Sequence, residues 1–131
     1  MSFLDNFRKR KYKQKIKIAT DLVKEGKNKE AIDAYNEAFK SLINLGDYVS
    51  LACLYVDEGE YNKAIDIFND VIIKIQSKGL DKDLADIHFG LGVCYDSLRQ
   101  INKAIENYEK AISEGKISQS RIEESYNRIY R

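Results

Sequence analysis

A chain of 131 residues that is 44% hydrophobic and 33% charged can bury one core, and this composition excludes a disordered polyelectrolyte. The net charge is only +1 and no apolar run approaches the ~20 residues that a membrane-spanning helix needs. Two cysteines, Cys53 and Cys94, without CxxC or Cys/His spacing exclude a zinc module and are read as two small buried thiols. The opening MSFLDNFRKRK places an acid and then a basic block where a secretory signal needs an apolar core, so a cytoplasmic protein of one domain is expected.

Ser2 and Asp5 form an S-x-x-D pattern, in which a side-chain oxygen accepts from a backbone N–H left free in the first turn, and a helix is predicted from Phe3 to about Glu25. It has three zones: an apolar cluster of Phe3, Leu4 and Phe7; a basic block of Arg8, Lys9, Arg10, Lys11, Lys13, Lys15 and Lys17; and a buried stripe of Ile16, Ile18, Ala19, Leu22 and Val23. Residues 1–30 hold ten Lys/Arg against four Asp/Glu, and residues 31–131 hold twelve against seventeen, so charge is polarised along the chain. Gly26-Lys27-Asn28 closes a turn before a helix from about Lys29 to Leu45, with Ala31, Ala34, Tyr35, Ala38, Phe39 and Leu42 inward. A helix over about Tyr48 to Glu58 follows, and then the turn Gly59-Glu60-Tyr61. The next helix, Asn62 to about Ser77, is apolar almost all round through Ile65, Ile67, Phe68, Val71, Ile72, Ile73 and Ile75, which suits an element with neighbours on both sides. Lys78-Gly79-Leu80-Asp81 is the most turn-like stretch.

Ala85 to Ile112 reads as two amphipathic helices. Ile87, Leu91, Cys94 and Tyr95 mark the buried stripe of the first, and Ala104, Ile105, Tyr108, Ala111 and Ile112 that of the second, with Asn102 as its N-cap. Gly90 and Gly92 inside the first helix each cost on the order of 1 kcal/mol relative to Ala, so they call for the close approach of a neighbour that a Cβ would block. Ser118 to Arg131 closes the chain as a helix, with a Ser120–Glu123 capping box and a face of Ile122, Tyr126, Ile129 and Tyr130.

The unit recurs. Asn102-Lys103-Ala104-Ile105 aligns with Asn62-Lys63-Ala64-Ile65 and with Lys29-Glu30-Ala31-Ile32, the alanines standing 33 and then 40 residues apart. Four residues beyond each alanine comes an aromatic, Tyr35, Phe68 or Tyr108, and seven beyond comes Ala38, Val71 or Ala111. Upstream, Ile18, Leu51 and Leu91 fall into line, as do Ala19, Ala52 and Gly92, and Leu22, Tyr55 and Tyr95. Self-similarity at this period marks a solenoid in which no unit buries its apolar face alone. The longer second interval implies about two extra helical turns near Ile73 to Lys78.

These residues resemble tetratricopeptide repeats over roughly Tyr12 to Gly115. His88 stands where that family often has Trp, and no proline ends a repeat, so Gly46, Gly79 and Gly115 take that place. The resemblance implies an all-α solenoid of antiparallel helix pairs, wound as a right-handed superhelix. It comprises a basic N-terminal extension (1–11), three repeats (12–44, 45–84 with an extended second helix, and 85–117) and a capping helix (118–131). It also implies a non-catalytic interaction module without cofactor or metal, binding a peptide or amphipathic helix in a concave groove lined by the first helix of each repeat. Carried over residue by residue, the groove positions are Lys13, Ile16, Lys17, Thr20, Val23 and Lys24; then Val49, Ser50, Cys53, Val56 and Asp57; then Asp86, Phe89, Val93, Asp96 and Ser97. Of these, Ile16, Val49, Val56, Phe89 and Val93 are expected to form an apolar strip. Family members that grip chaperone C-terminal carboxylates use Lys and Asn, whereas Thr20, Cys53 and Val93 stand here in the places of Asn. An amphipathic helix matched to Lys13, Lys17 and Lys24 at one end and to Asp57, Asp86 and Asp96 at the other fits better.

Three other roles follow from the basic end. Phe3, Leu4, Phe7, Arg8, Lys9, Arg10 and Lys11 can cap the solenoid, contact a membrane or another protein as a peripheral adaptor, or occupy the acidic groove of a second copy in a head-to-tail homo-oligomer. Nucleic acid is disfavoured because no basic stripe extends beyond this segment. Catalysis has no footing: His88 is the single histidine, at a core-leaning position, and the acidic pairs Asp81/Asp83 and Glu123/Glu124 sit at turns and helix starts.

Overall fold

The computed structural model describes residues 2–78 and 84–114, together with Glu123 and Asn127. Six helices account for nearly all of these residues, and the contacts divide the chain into two units, Met1–Glu58 and Gly59–Arg131. The first unit holds α1 (Phe3–Lys24), α2 (Asn28–Ala38) and α3 (Leu45–Asp57). The second holds α4 (Tyr61–Ser77), α5 (Leu84–Ser97) and α6 (Ile101–Ser113). Residues 79–83, Gly115 and the expected closing helix, apart from Glu123 and Asn127, lie outside the described residues.

The register read from the repeats is the register of burial. Ala31, Ala64 and Ala104 are fully enclosed, the aromatics Tyr35, Phe68 and Tyr108 are buried, and Ala38, Val71 and Ala111 are again fully enclosed. Small side chains at the first and third places let a neighbouring helix approach, and the ring between them fills the space. In the second unit α5 packs on both α4 and α6. There Gly92 faces Tyr108 and Gly90 faces Phe68, so that an added Cβ would lie 2.4 Å and 2.8 Å from the respective rings. The two glycines are therefore the points of close approach that their position inside a helix implied.

Turn geometry repeats as well. Gly26 and Gly59 adopt positive φ just past α1 and α3, and Arg99 (φ 63°) does so past α5, a backbone region that disfavours any residue with a Cβ. The Gly26 and Arg99 turns carry the same pair of bonds, in which Gly26 N–H donates to Val23 and Lys27 N–H to Leu22, and Arg99 N–H donates to Asp96 and Gln100 N–H to Tyr95. These close the helix ends by satisfying carbonyls that would otherwise lack partners.

Several boundaries differ from expectation. α2 stops at Ala38 rather than Leu45, because Asn44 is extended and caps α3, its side chain accepting from Asp47 N–H at 3.1 Å. Gln100, not Asn102, precedes α6, and no side chain caps that end. α4 is the long second helix, 17 residues against 11 in α2 and 13 in α6. Ile18, Ile73, Ile105 and Ile112, expected inward, are exposed, since helical spacing fixes which residues share a face but not whether an element covers that face. Cys53 is exposed and only Cys94 is a buried thiol.

Candidate functional site

In the first unit, α1 and α2 are each tied to α3 by polar links that span long stretches of chain. Tyr12 hydroxyl donates to Asp47 Oδ2 at 2.7 Å, and Asn44 N–H donates to the same hydroxyl at 3.3 Å, tying the middle of α1 to the start of α3. Asn28 Nδ2 donates to Glu58 Oε1 at 3.1 Å, and Asn36 Nδ2 donates to the Tyr55 hydroxyl at 3.1 Å. Phe39 gathers three rings around it: Tyr12 tilted at 6.3 Å, Tyr35 stacked at 5.9 Å and Tyr48 edge-on at 5.3 Å. Burial first, and the bond to Asp47 next, push the Tyr12 hydroxyl well above the usual tyrosine range. Burial and the nearby Asp47 carboxylate also raise Tyr35, against a smaller opposing influence of Ser50.

This frame leaves a hollow of about 400 Å³ lined by Thr20, Val23 and Lys24 of α1, Tyr35 of α2, and Val49, Ser50, Cys53, Leu54 and Asp57 of α3. The size suits a few side chains of a ligand. Its hydroxyl groups are already engaged: Thr20 donates to the Lys17 carbonyl at 3.0 Å and Ser50 to the Gly46 carbonyl at 3.2 Å, each within its own helix. Lys24 and Asp57 have no ion-pair partner among the described residues, so an ammonium and a carboxylate remain available beside an apolar floor. The Cys53 thiol is held above its ordinary range, by the desolvating wall first and by Asp57 second.

Seven of the eleven groove positions assigned to the first two repeats thus converge on one hollow: Thr20, Val23, Lys24, Val49, Ser50, Cys53 and Asp57. Tyr35, which its spacing marks as an inward residue, and Leu54, which the repeat pattern leaves unassigned, join them from the core side. The other four lie elsewhere. Lys13 lines a second, more polar hollow with Lys9, Tyr12, Leu42, Ile43, Asn44 and Asp47. Lys17 pairs with Asp21 at 3.0 Å, and Ile16 and Val56 are half-buried.

In the second unit Asp86 is exposed and Ser97 half-buried. Phe89 and Val93 pack against the cluster of Ala85, Ala104, Tyr108 and Ala111, with the Phe89 ring 5.9 Å from that of Tyr108, so this part of the expected apolar strip belongs largely to the unit's own core. Asp96 is fully enclosed, and its Oδ2 accepts from the Tyr108 hydroxyl at 3.0 Å; a carboxylate placed there holds α5 to α6 rather than facing a ligand. His88 is buried, with Nδ1 2.6 Å from Glu114 Oε1, which likewise links α5 to the end of α6. Near the start of α1, Phe3, Leu4 and Phe7 are exposed.

Models of the tetratricopeptide repeat match residues 85–114 and 48–72. Among solved structures, the chain is similar to the TPR2AB domain of yeast Sti1, solved as a pHSP90 complex, with a TM-score of 0.74 at 20% identity. That match covers 92% of this chain and 48% of the other, so the chain spans about half the length of that structure. It is also similar to the TPR domain of Arabidopsis FLU, with a TM-score of 0.70 at 18% identity over 81% of this chain and 95% of that one. No curated protein matches the sequence. The all-α helical-repeat fold is thus common to this chain and these domains.

Proposed function

The chain belongs to the tetratricopeptide-repeat family, and we propose that it works as a non-catalytic protein-interaction module whose ligand, a peptide or one face of an amphipathic helix, seats in the hollow between α1 and α3. The observation that carries this reading is the convergence of Val23, Val49, Cys53 and Leu54 on an apolar floor with an unpaired Lys24 and Asp57 at its margin. Apolar side chains of the ligand displace water from that floor, and its own acid and base, set about one helical turn or more apart, meet Lys24 and Asp57. Charges at the rim select orientation and partner more than they add affinity. The Sti1 domain solved with pHSP90 supports a peptide as the class of ligand. The absence of Asn at Thr20, Cys53 and Val93 argues against the same carboxylate grip.

Selection of a displayed random-peptide library on the full chain tests this. Enriched peptides should be apolar at helical spacing and should lose binding to Ser50→Arg and to Thr20→Arg, both of which place a bulky cation in the hollow while far-UV circular dichroism stays unchanged. Enriched peptides that bind both variants as well as they bind the parent chain would overturn the assignment of the hollow.

A further inference from the structure

α1 has two faces, and its fold uses only one. Tyr12 and Ala19 are buried against the rest of the first unit, whereas every residue from Ser2 to Lys11 is exposed. At roughly 100° per residue, Phe3, Leu4, Phe7 and Ile18 fall on one side of the helix, away from Tyr12 and Ala19. They are 75%, 67%, 44% and 56% exposed. The strip is organised rather than scattered: the Phe3 and Phe7 rings stack at 6.5 Å, and Lys11 Nζ stands 5.2 Å above the Phe7 ring.

Cations surround it. Lys15 and Lys17 pair with Glu37 and Asp21, but Arg8, Lys9, Arg10, Lys11 and Lys13 meet no carboxylate among the described residues. The one acid of this segment, Asp5, lies in the first turn of the helix, where its backbone N–H donates to Ser2 Oγ and its charge suits the helix end. Arg8 and Arg10 fall on the two flanks of the aromatic strip and Lys11 stands over it, whereas Lys9 and Lys13 turn toward the hollow they share with Tyr12 and Asp47. Cations on both flanks of an aromatic strip suit a planar field of anions with an apolar layer beneath it. Nucleic acid offers no such layer, and a protein groove would need fixed acids on both sides at once. No helix among the described residues is long and apolar enough to cross a membrane, which leaves attachment at the surface.

We propose that the first three turns of α1 dock the chain on a bilayer rich in anionic lipid. Phe3, Leu4 and Phe7 enter the boundary between headgroups and acyl chains, and Arg8, Arg10 and Lys11 reach the headgroups on stems that lie along the apolar strip. The buried face of α1 keeps its place in the first unit, so docking leaves the fold intact.

Co-flotation of the full chain with vesicles tests this, using phosphatidylcholine alone and phosphatidylcholine with about 30% phosphatidylserine as the anionic lipid. Binding should appear with the anionic vesicles and fall as salt rises. Each cation at such a surface is worth roughly fivefold in partitioning, so Arg8→Gln/Arg10→Gln should bind roughly 25-fold more weakly. Phe3→Ser/Phe7→Ser should bind weakly at any salt. Because the chain has no tryptophan, Phe3→Trp supplies a depth reporter whose emission should shift to the blue on anionic vesicles. All substituted positions are exposed, so circular dichroism should be unchanged. Absence of flotation with anionic vesicles would overturn the proposal, as would binding that ignores Phe3 and Phe7. Loss of self-association or of RNA binding in these variants, without vesicle binding, would assign the face to a second copy or to nucleic acid instead.

Discussion

Replacing Gly92 by alanine tests the packing logic of the second unit. The added Cβ would stand 2.4 Å from both Cδ1 and Cε1 of Tyr108 and 3.1 Å from Cγ, so the ring must retreat by about 1 Å to reach ordinary contact. It has little room: Tyr108 is 3% exposed, its hydroxyl is bonded at 3.0 Å to the enclosed Asp96, and the tilted Phe89 ring lies 5.9 Å away. Overpacking of a filled core costs typically 1–3 kcal/mol, and about 3 is appropriate where two ring atoms clash and a buried bond to a carboxylate stretches. Alanine in place of glycine inside a helix returns about 1 kcal/mol. The net loss is about 2 kcal/mol, which for a chain of this size lowers Tm by roughly 8 °C. Urea denaturation followed by far-UV circular dichroism measures it. Gly92→Ala/Tyr108→Leu should be less destabilised than the sum of the single substitutions, because the smaller side chain vacates the space that the methyl needs. A Gly92→Ala chain as stable as the parent, or single effects that simply add, would refute the close approach as the reason for glycine there.

Tyr12→Phe should cost ~1–3 kcal/mol in the same assay, because it strips a partner from Asp47 and from the Asn44 N–H; an unchanged urea midpoint would count against the link. Since folding raises the Tyr12 pKa, its contribution is complete below the unfolded value of about 10 and is lost as pH climbs above it, so the gap between the parent and Tyr12→Phe should narrow in strong alkali and stay constant at neutral pH. Arg99→Gly should stabilise the chain by about 1 kcal/mol, matching the glycines at the two other turns, and a loss of stability would show that contacts of the Arg99 side chain outweigh the strain of its positive φ. In thiol titration one cysteine, Cys53, should react in the native state and Cys94 only on unfolding, while Asp57→Asn should speed the first reaction near neutral pH by lowering the Cys53 pKa. Equal rates for the two thiols would contradict the exposure difference.

The repeat register was legible because it depends on spacing within single helices. An enclosed alanine, an aromatic one turn on and a small residue a turn beyond that recur in α2, α4 and α6, and helical geometry alone puts them on one face. Gly90 and Gly92 were legible for a related reason, since a helix bears that cost only against a close neighbour. What spacing could not supply is tertiary. The end of α2 is decided by Asn44, whose N–H meets Tyr12 from 32 residues away, while the same hydroxyl meets Asp47 from 35. Asp96 has the helical spacing of a groove residue, and only the position of Tyr108 on the next helix turns it inward. Ile18, Ile73, Ile105 and Ile112 have apolar side chains that no element among the described residues covers, which a one-dimensional pattern does not record. Of the groove positions, those on α1 and α3 that meet at the hollow share a frame in which Phe39, just past α2, touches Tyr12 of α1 and Tyr48 of α3.

The most direct test of the hollow as the ligand seat uses its own thiol. Cys53 lies in the wall between Val49 and Asp57 and is the exposed cysteine of the pair. Its alkylation rate, measured on the native chain with increasing amounts of a bound peptide, should fall in proportion to the fraction bound. An alkylation rate that stays constant while binding reaches saturation would place the ligand elsewhere and contradict the proposed site.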